Sequence, residues 1–191
     1  MKRLFRGRLD EKQARLLNTL YFLVRLLALS APLYFIISYG DLYPLQAITA
    51  SNSALILHGL GYQVAQDGPV VAVSDGLSSF RFFISEDSTA WKSMLFLFAL
   101  IFAVPKVRIK KRLLGILWGL PLVWIGNLGR VVGIVLVERS YGIGAALFWH
   151  DFLWRAGLVA LVLGLWLVWL GGGRRRLFSR WHQFNTWPGA S

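Results

Sequence analysis

Residues 105–137 read PKVRIKKRLLGILWGLPLVWIGNLGRVVGIVLV, and the order of events along them decides the fold. Five cations, Lys106, Arg108, Lys110, Lys111 and Arg112, precede an apolar run from Leu113 to Val137 that only Asn127 and Arg130 interrupt. A helix needs about 20 such residues to cross a hydrocarbon core of about 30 Å. A basic flank marks the cytoplasmic side of the span. The same pattern recurs outward from this stretch. Leu16–Tyr39 is apolar apart from Arg25 and follows Lys2, Arg3, Arg6, Arg8, Lys12 and Arg15. Thr89–Val104 ends against the 106–112 cluster, and Ala145–Leu170 ends near Arg174, Arg175, Arg176 and Arg180. Of the 191 residues, 56% are hydrophobic and 16% charged, whereas soluble domains carry roughly a quarter charged residues. In a soluble protein the net charge of +12 would suggest nucleic acid. Cations gathered beside apolar runs argue instead for a membrane protein with no nucleic-acid partner.

The expected fold class is all-α integral membrane: a four-to-six transmembrane helix bundle forming a single membrane domain over 1–191. Its spans are 16–39, 89–104, 113–137 and 145–170, between a basic cytoplasmic N-terminus at 1–15 and a basic cytoplasmic tail at 171–191. With the three basic clusters inside, this is a multi-pass protein of the cell membrane, and residues 40–88 and 138–144 face outside. Those outer segments hold Asp41, Asp67, Asp75, Glu86, Asp87 and Glu138 against Arg81 and Arg139. Leu42–Leu60 mixes apolar residues with Gln46, Ser51, Asn52 and His58, which suits an interfacial amphipathic helix better than a span. Residues 61–73 place two β-rich runs around Asp67-Gly68-Pro69, the signature of a small extracytoplasmic β-hairpin, with Phe80–Ile84 as a candidate third strand.

The chain has no cysteine, which excludes disulfides and thiolate metal sites, and its histidines, His58, His150 and His182, lack metal-ligand spacing. No cofactor is called for. An ionisable residue inside a span costs roughly 2.5–3.5 kcal/mol on insertion scales, so Arg130 stands out. It lies roughly 10 Å of helix from the outer end of its span, and Asn127, three residues earlier, shares its face. Gly126, Gly129 and Gly133 would admit a neighbouring backbone, Gly129-x-x-x-Gly133 being a small-xxx-small pattern. The plainer alternative is that Arg130 snorkels or pairs with Glu138. A lone histidine is more often a packing residue than a catalytic one. Here, however, the topology delivers Ser88, Asn127, Arg130 and His150 to one depth on separate helices. Asp151 points about 100° away from His150 on an ideal helix, a weaker orienting partner, and Arg155 is a second in-span cation. A nucleophile, an imidazole and a fixed cation are the parts of acyl transfer. Ser88, though, lacks a G-x-S-x-G elbow.

The blocks Asp87-Ser88-Thr89-Ala90-Trp91-Lys92-Ser93, Asn127-x-x-Arg130 and Phe148-Trp149-His150-Asp151-Phe152 resemble, in order and spacing, the three signature blocks of the exosortase/archaeosortase family. The resemblance covers roughly residues 40–160. It implies a membrane-embedded cysteine transpeptidase that acts at the outer face on exported proteins bearing a C-terminal motif, transmembrane helix and basic tail. The freed carboxyl passes to a surface acceptor, a membrane lipid or a glycolipid or polysaccharide. Carried over, the nucleophile falls on Ser88, the catalytic arginine on Arg130 and the third catalytic residue on His150, with Asn127 and Asp151 supporting. Lys92 and Trp91 are candidate substrate contacts, with packing or lipid contact an equal alternative. The family has cysteine where this chain has Ser88. A Cys→Ser replacement, which suits a chain without any cysteine, and a natural serine or inactive member are the two origins that fit. Either way the chain as it stands is expected to be nearly inactive, and Ser88→Cys to restore activity. Two other classes remain open: an intramembrane serine hydrolase using Ser88 and His150, and a non-enzymatic membrane scaffold.

Overall fold

The computed structural model describes residues 11–74, 79–152 and 156–184, with the backbone alone for 11, 12, 14, 15, 151 and 172–184. In chain order the elements are α1 (Glu11–Ser38), α2 (Tyr43–Gly59), β1 (Gln63–Asp67), β2 (Val70–Ser74), β3 (Ser79–Phe83), a 3-10 turn (Glu86–Thr89), α3 (Trp91–Ala103), α4 (Ile109–Tyr141), α5 (Ile143–Phe152) and α6 (Leu158–Phe184). α1 and α4 are long and apolar enough to cross a membrane; α3 and the Leu158–Gly171 part of α6 are shorter apolar helices. The stretch expected as one span over 145–170 is covered by α5 and α6, with residues 153–155 outside the described residues and 156–157 helical. α5 packs on α4, while α6 packs on both α3 and α4.

α4 organises the molecule. Its 33 residues make a rod of about 50 Å, longer than a hydrocarbon core of about 30 Å. Towards its N-terminal half, Val123 joins Leu97, Leu100 and Ile101 of α3 and Val162 of α6 in one apolar cluster, against which Phe22 and Leu26 of α1 pack. Towards its C-terminal half, Val131, Val132 and Val135 meet Ala50 and Leu57 of α2 and Val71 and Val73 of β2.

The hairpin expected at 61–73 forms and gains its third strand, giving an antiparallel sheet of order β1-β2-β3. Asp67 pairs with Val70 around a Gly68-Pro69 turn. Gly68 has φ +53, a conformation glycine adopts without steric cost. Val71 and Val73 are fully buried, and with the stacked rings of Phe80 and Phe82 they form the face turned to α2 and α4.

α2 turns a largely polar stripe to the protein. Its buried stripe is Gln46, Thr49, Ala50, Ser53 and Leu57, whereas Ile48, Leu55 and Ile56 are exposed. The helix segregates its residues, but the largely polar stripe faces the protein and apolar side chains face away. The polar stripe is internally satisfied in part: Gln46 Nε2 donates to the Ile84 carbonyl at 2.9 Å, and Thr49 Oγ1 donates to the Leu45 carbonyl at 2.7 Å. An outward apolar side is the arrangement a hydrocarbon surround favours.

Candidate active site

β3 runs into the 3-10 turn that carries Ser88, and the turn runs into α3. At the junction Ala90 takes φ +62, ψ 6, the left-handed region, and N-caps α3. That conformation costs a non-glycine residue roughly 1–2 kcal/mol, and such strain persists where the surroundings impose it. The surroundings here are visible. Thr89 Oγ1 donates to the Glu86 carbonyl at 2.7 Å, and an ion pair between Lys92 and Asp87 ties the turn to the first residues of α3. From α4, Asn127 Nδ2 donates to the Ser88 carbonyl at 2.7 Å. The Ser88 hydroxyl lies 3.1 Å from that of Ser85. Strand, strained turn and helix thus present Ser88 without the glycine motif that sequence reasoning looked for.

One turn along α4 from Asn127 sits Arg130, 5% exposed. Its Nε, Nη1 and Nη2 atoms are buried and have no hydrogen-bond partner among the described residues. The alternative of a pair with Glu138 is not realised: Glu138 Oε2 is likewise buried with no hydrogen-bond partner among the described residues. A buried guanidinium with its donors unspent costs several kcal/mol. What it lacks is an acceptor.

Ser88, Arg130 and His150 line one cavity of about 200 Å³. One wall is Phe80–Ile84, from β3; the floor is Val131, Ile134, Val135 and Glu138 of α4; the far wall is Ile143, Ala146, Leu147 and His150 of α5. Side chains from three separate elements therefore converge, and Asn127 supports the turn from behind. Lys92 and Trp91 are not brought there. Trp91 is buried with Leu42 and Leu95, and its ring lies tilted against Tyr34 at a centroid distance of 5.3 Å. Lys92 lines a different crevice with Ser30, Ala31, Tyr34 and Phe35. The Asp151 side chain and all of Arg155 lie outside the described residues.

The glycine pattern works differently from expectation. Only Gly126 meets a neighbour, Leu161 of α6; a Cβ at Gly129 or Gly133 would find nothing within 4 Å. Instead Gly126, Gly129 and Gly157 line a second crevice with Leu158, Leu161 and Arg130, so Arg130 touches both openings. Sequence reasoning also missed the β3 wall. Its alternation of Phe80, Arg81 and Phe82 signals a strand but not what lies beside it.

A model of the transmembrane exosortase family matches residues 11–170. The chain belongs to the transmembrane exosortase family. No curated protein and no solved structure matches it. Exosortase membership makes this a membrane protein and, at the level of class, a peptidase or transpeptidase. The matched stretch runs from the start of α1 into α6, so it contains every element that lines the Ser88 cavity.

Proposed function

We propose that this exosortase-family chain carries a transpeptidase site for exported proteins that end in a sorting motif, a transmembrane helix and a basic tail. Ser88 holds the nucleophile position, and Arg130 and His150 complete the site. The observation that carries the reading is the shared cavity, with a buried arginine whose donors are unspent. The basic clusters lie inside, N- and C-termini are cytoplasmic, and the cavity opens to the outer face of the cell membrane.

In a Ser88→Cys form, His150 takes the thiol proton and the sulfur attacks the peptide carbonyl carbon. Arg130 receives the developing oxyanion; it stays charged when poorly hydrated, which suits it to a buried site. The C–N bond breaks as His150 returns the proton to the leaving amine, giving a thioester. An amine or hydroxyl of a lipid or polysaccharide acceptor, or water, then displaces the thiolate. Asn127 positions the reacting residue through its carbonyl. Alkyl hydroxyls hold their protons far more tightly than thiols, so the Ser88 form is nearly inactive.

The test is a paired cleavage assay in membranes, with the chain as it stands and with Ser88→Cys, on proteins bearing the C-terminal tail. Tail loss only with Ser88→Cys, abolished by Arg130→Ala or His150→Ala, supports the proposal. Equal cleavage by both forms, with Ser88 labelled by a serine-reactive phosphonate, replaces it with an intramembrane serine hydrolase. Silence from both across a broad substrate set favours a membrane scaffold.

A further inference from the structure

β3 is an edge strand: it pairs with β2 on one side and with no described strand on the other. The phase of its hydrogen bonding is fixed by a single contact. Ile84 N–H donates to the Pro69 carbonyl at 2.9 Å, and the register Val70↔Phe83, Val71↔Phe82, Ala72↔Arg81 continues from it. In an antiparallel ladder, hydrogen-bonded and non-hydrogen-bonded pairs alternate. Phe82 and Phe80 therefore turn their N–H and C=O groups to β2, and Arg81 and Phe83 turn theirs to the open edge.

That edge borders the Ser88 cavity. Five consecutive residues, Phe80 to Ile84, line it. Successive side chains of a strand point to opposite faces, so a cavity reached from one face would be lined by alternate residues. Lining by every residue in turn means the cavity runs along the strand's edge. Opposite the edge stands α5, whose Ile143 and Leu147 are 66% and 61% exposed and line the same space. A trough with a free strand edge on one side and an apolar helix on the other is the setting in which extended peptides bind by strand addition.

We propose that the substrate polypeptide docks as a fourth strand on β3, its amides paired with the N–H and C=O groups of Arg81 and Phe83. Its side chains press against α5, and the backbone runs on to Ser88. This rests on the transpeptidase reading and adds how the substrate is held. Backbone pairing supplies affinity that is independent of side chains, and the pockets between β3 and α5 read alternate residues. Recognition of a short motif then needs no preformed cleft of its own.

The experiment uses the full chain with Ser88→Cys in lipid nanodiscs. The probes are a positional-scanning set of pentapeptidyl vinyl sulfones and a matched set N-methylated at alternate amides. The rate of covalent labelling is read by intact mass and divided by the rate for iodoacetamide on the same protein. The expected result is labelling about tenfold faster by the unmethylated set than by one of the two methylation phases, the scale of one or two lost hydrogen bonds. Phe83→Pro removes an outward N–H and leaves the Phe82 bond to β2 in place, a substitution edge strands tolerate; it should lower the normalised rate by a similar factor. Methylated and unmethylated probes labelling alike, or peptidyl probes labelling no faster than methyl vinyl sulfone, would overturn strand docking. An iodoacetamide rate that His150→Ala leaves unchanged would instead sink the catalytic reading, and the docking proposal with it.

Discussion

The two halves of α4 carry arginines under opposite circumstances. Arg112 lies near the N-terminal end: its Nη2 donates to the Val104 carbonyl at 2.8 Å, and its guanidinium lies 5.4 Å from the centre of the Phe102 ring. The neighbouring Lys111 rests over Trp169, whose Nε1 donates to the Lys111 carbonyl at 3.0 Å. Glycines there are filled: a methyl at Gly115 would lie 2.5 Å from Trp169 Nε1, and one at Gly119 would lie 2.7 Å from Leu97 Cδ2. Arg130, about 27 Å further along the helix, has no hydrogen-bond partner among the described residues, and Gly129 beside it faces open space. One helix thus contains a region packed for stability and a region that forgoes stability. Structural membrane arginines find acceptors, so an arginine with none among the described residues suits an acceptor that comes and goes.

The strongest way to break that contrast is to exchange the arginines' fates. In a Ser88→Cys background, cleavage should rise by about a thousandfold or more over the Ser88 form. Arg130→Met should then remove roughly 10²–10³ of it, while Arg112→Met changes it by less than about threefold, as measured on one tailed substrate. Thermal unfolding should show the opposite order. Arg130→Met removes an uncompensated buried charge and should hold or raise the midpoint, whereas Arg112→Met loses a carbonyl bond worth about 1 kcal/mol. If Arg130→Met unfolds the protein and Arg112→Met does not, the cation is a packing element and the scaffold reading stands.

Next in size is Asn127→Ala. It removes the bond to the Ser88 carbonyl and should cost about 1–3 kcal/mol in stability, with a roughly tenfold fall in the activity of the Ser88→Cys form. Unchanged activity with lowered stability would make Asn127 a fastener of the turn alone. The glycines sharpen the same contrast. Gly119→Ala forces Leu97 to shift and should destabilise by about 1–3 kcal/mol. Gly129→Ala meets nothing and should stabilise by about 0.5–1 kcal/mol through helix propensity; a destabilising Gly129→Ala would reveal a packing partner. Comparable in size is Ala90→Gly, which relieves the left-handed strain and should raise stability by about 1 kcal/mol in the same unfolding measurement.

Much of the helical architecture was legible because the helices fall on apolar runs broken by only a few polar residues. The strands were legible through the Gly68 turn. The stretch expected as one span over 145–170 carries α5 and α6, both apolar, and residues 153–155 between them lie outside the described residues. α2 was legible only in part. Its mixture of Gln46, Thr49 and Ser53 with Ile48 and Leu55 reveals segregation, but which side meets protein depends on the surrounding medium. For the site, Ser88, Asn127, Arg130 and His150 were nameable by type and depth. Trp91 and Lys92, three and four residues after Ser88, turn away from its cavity beyond the left-handed Ala90 that lies between them.

By itself, then, the sequence determined the apolar runs, their basic flanks, the polar residues at depth and the signature blocks, since these depend on local composition and helical period. The tertiary structure alone decided that Ser88, Arg130 and His150 border one cavity, that Arg130 finds no hydrogen-bond partner among the described residues, and that β3 lends its open edge to the same space. A cavity is a gap left between elements distant along the chain. Its existence depends on how those elements fail to pack, and no local pattern records a contact that is missing.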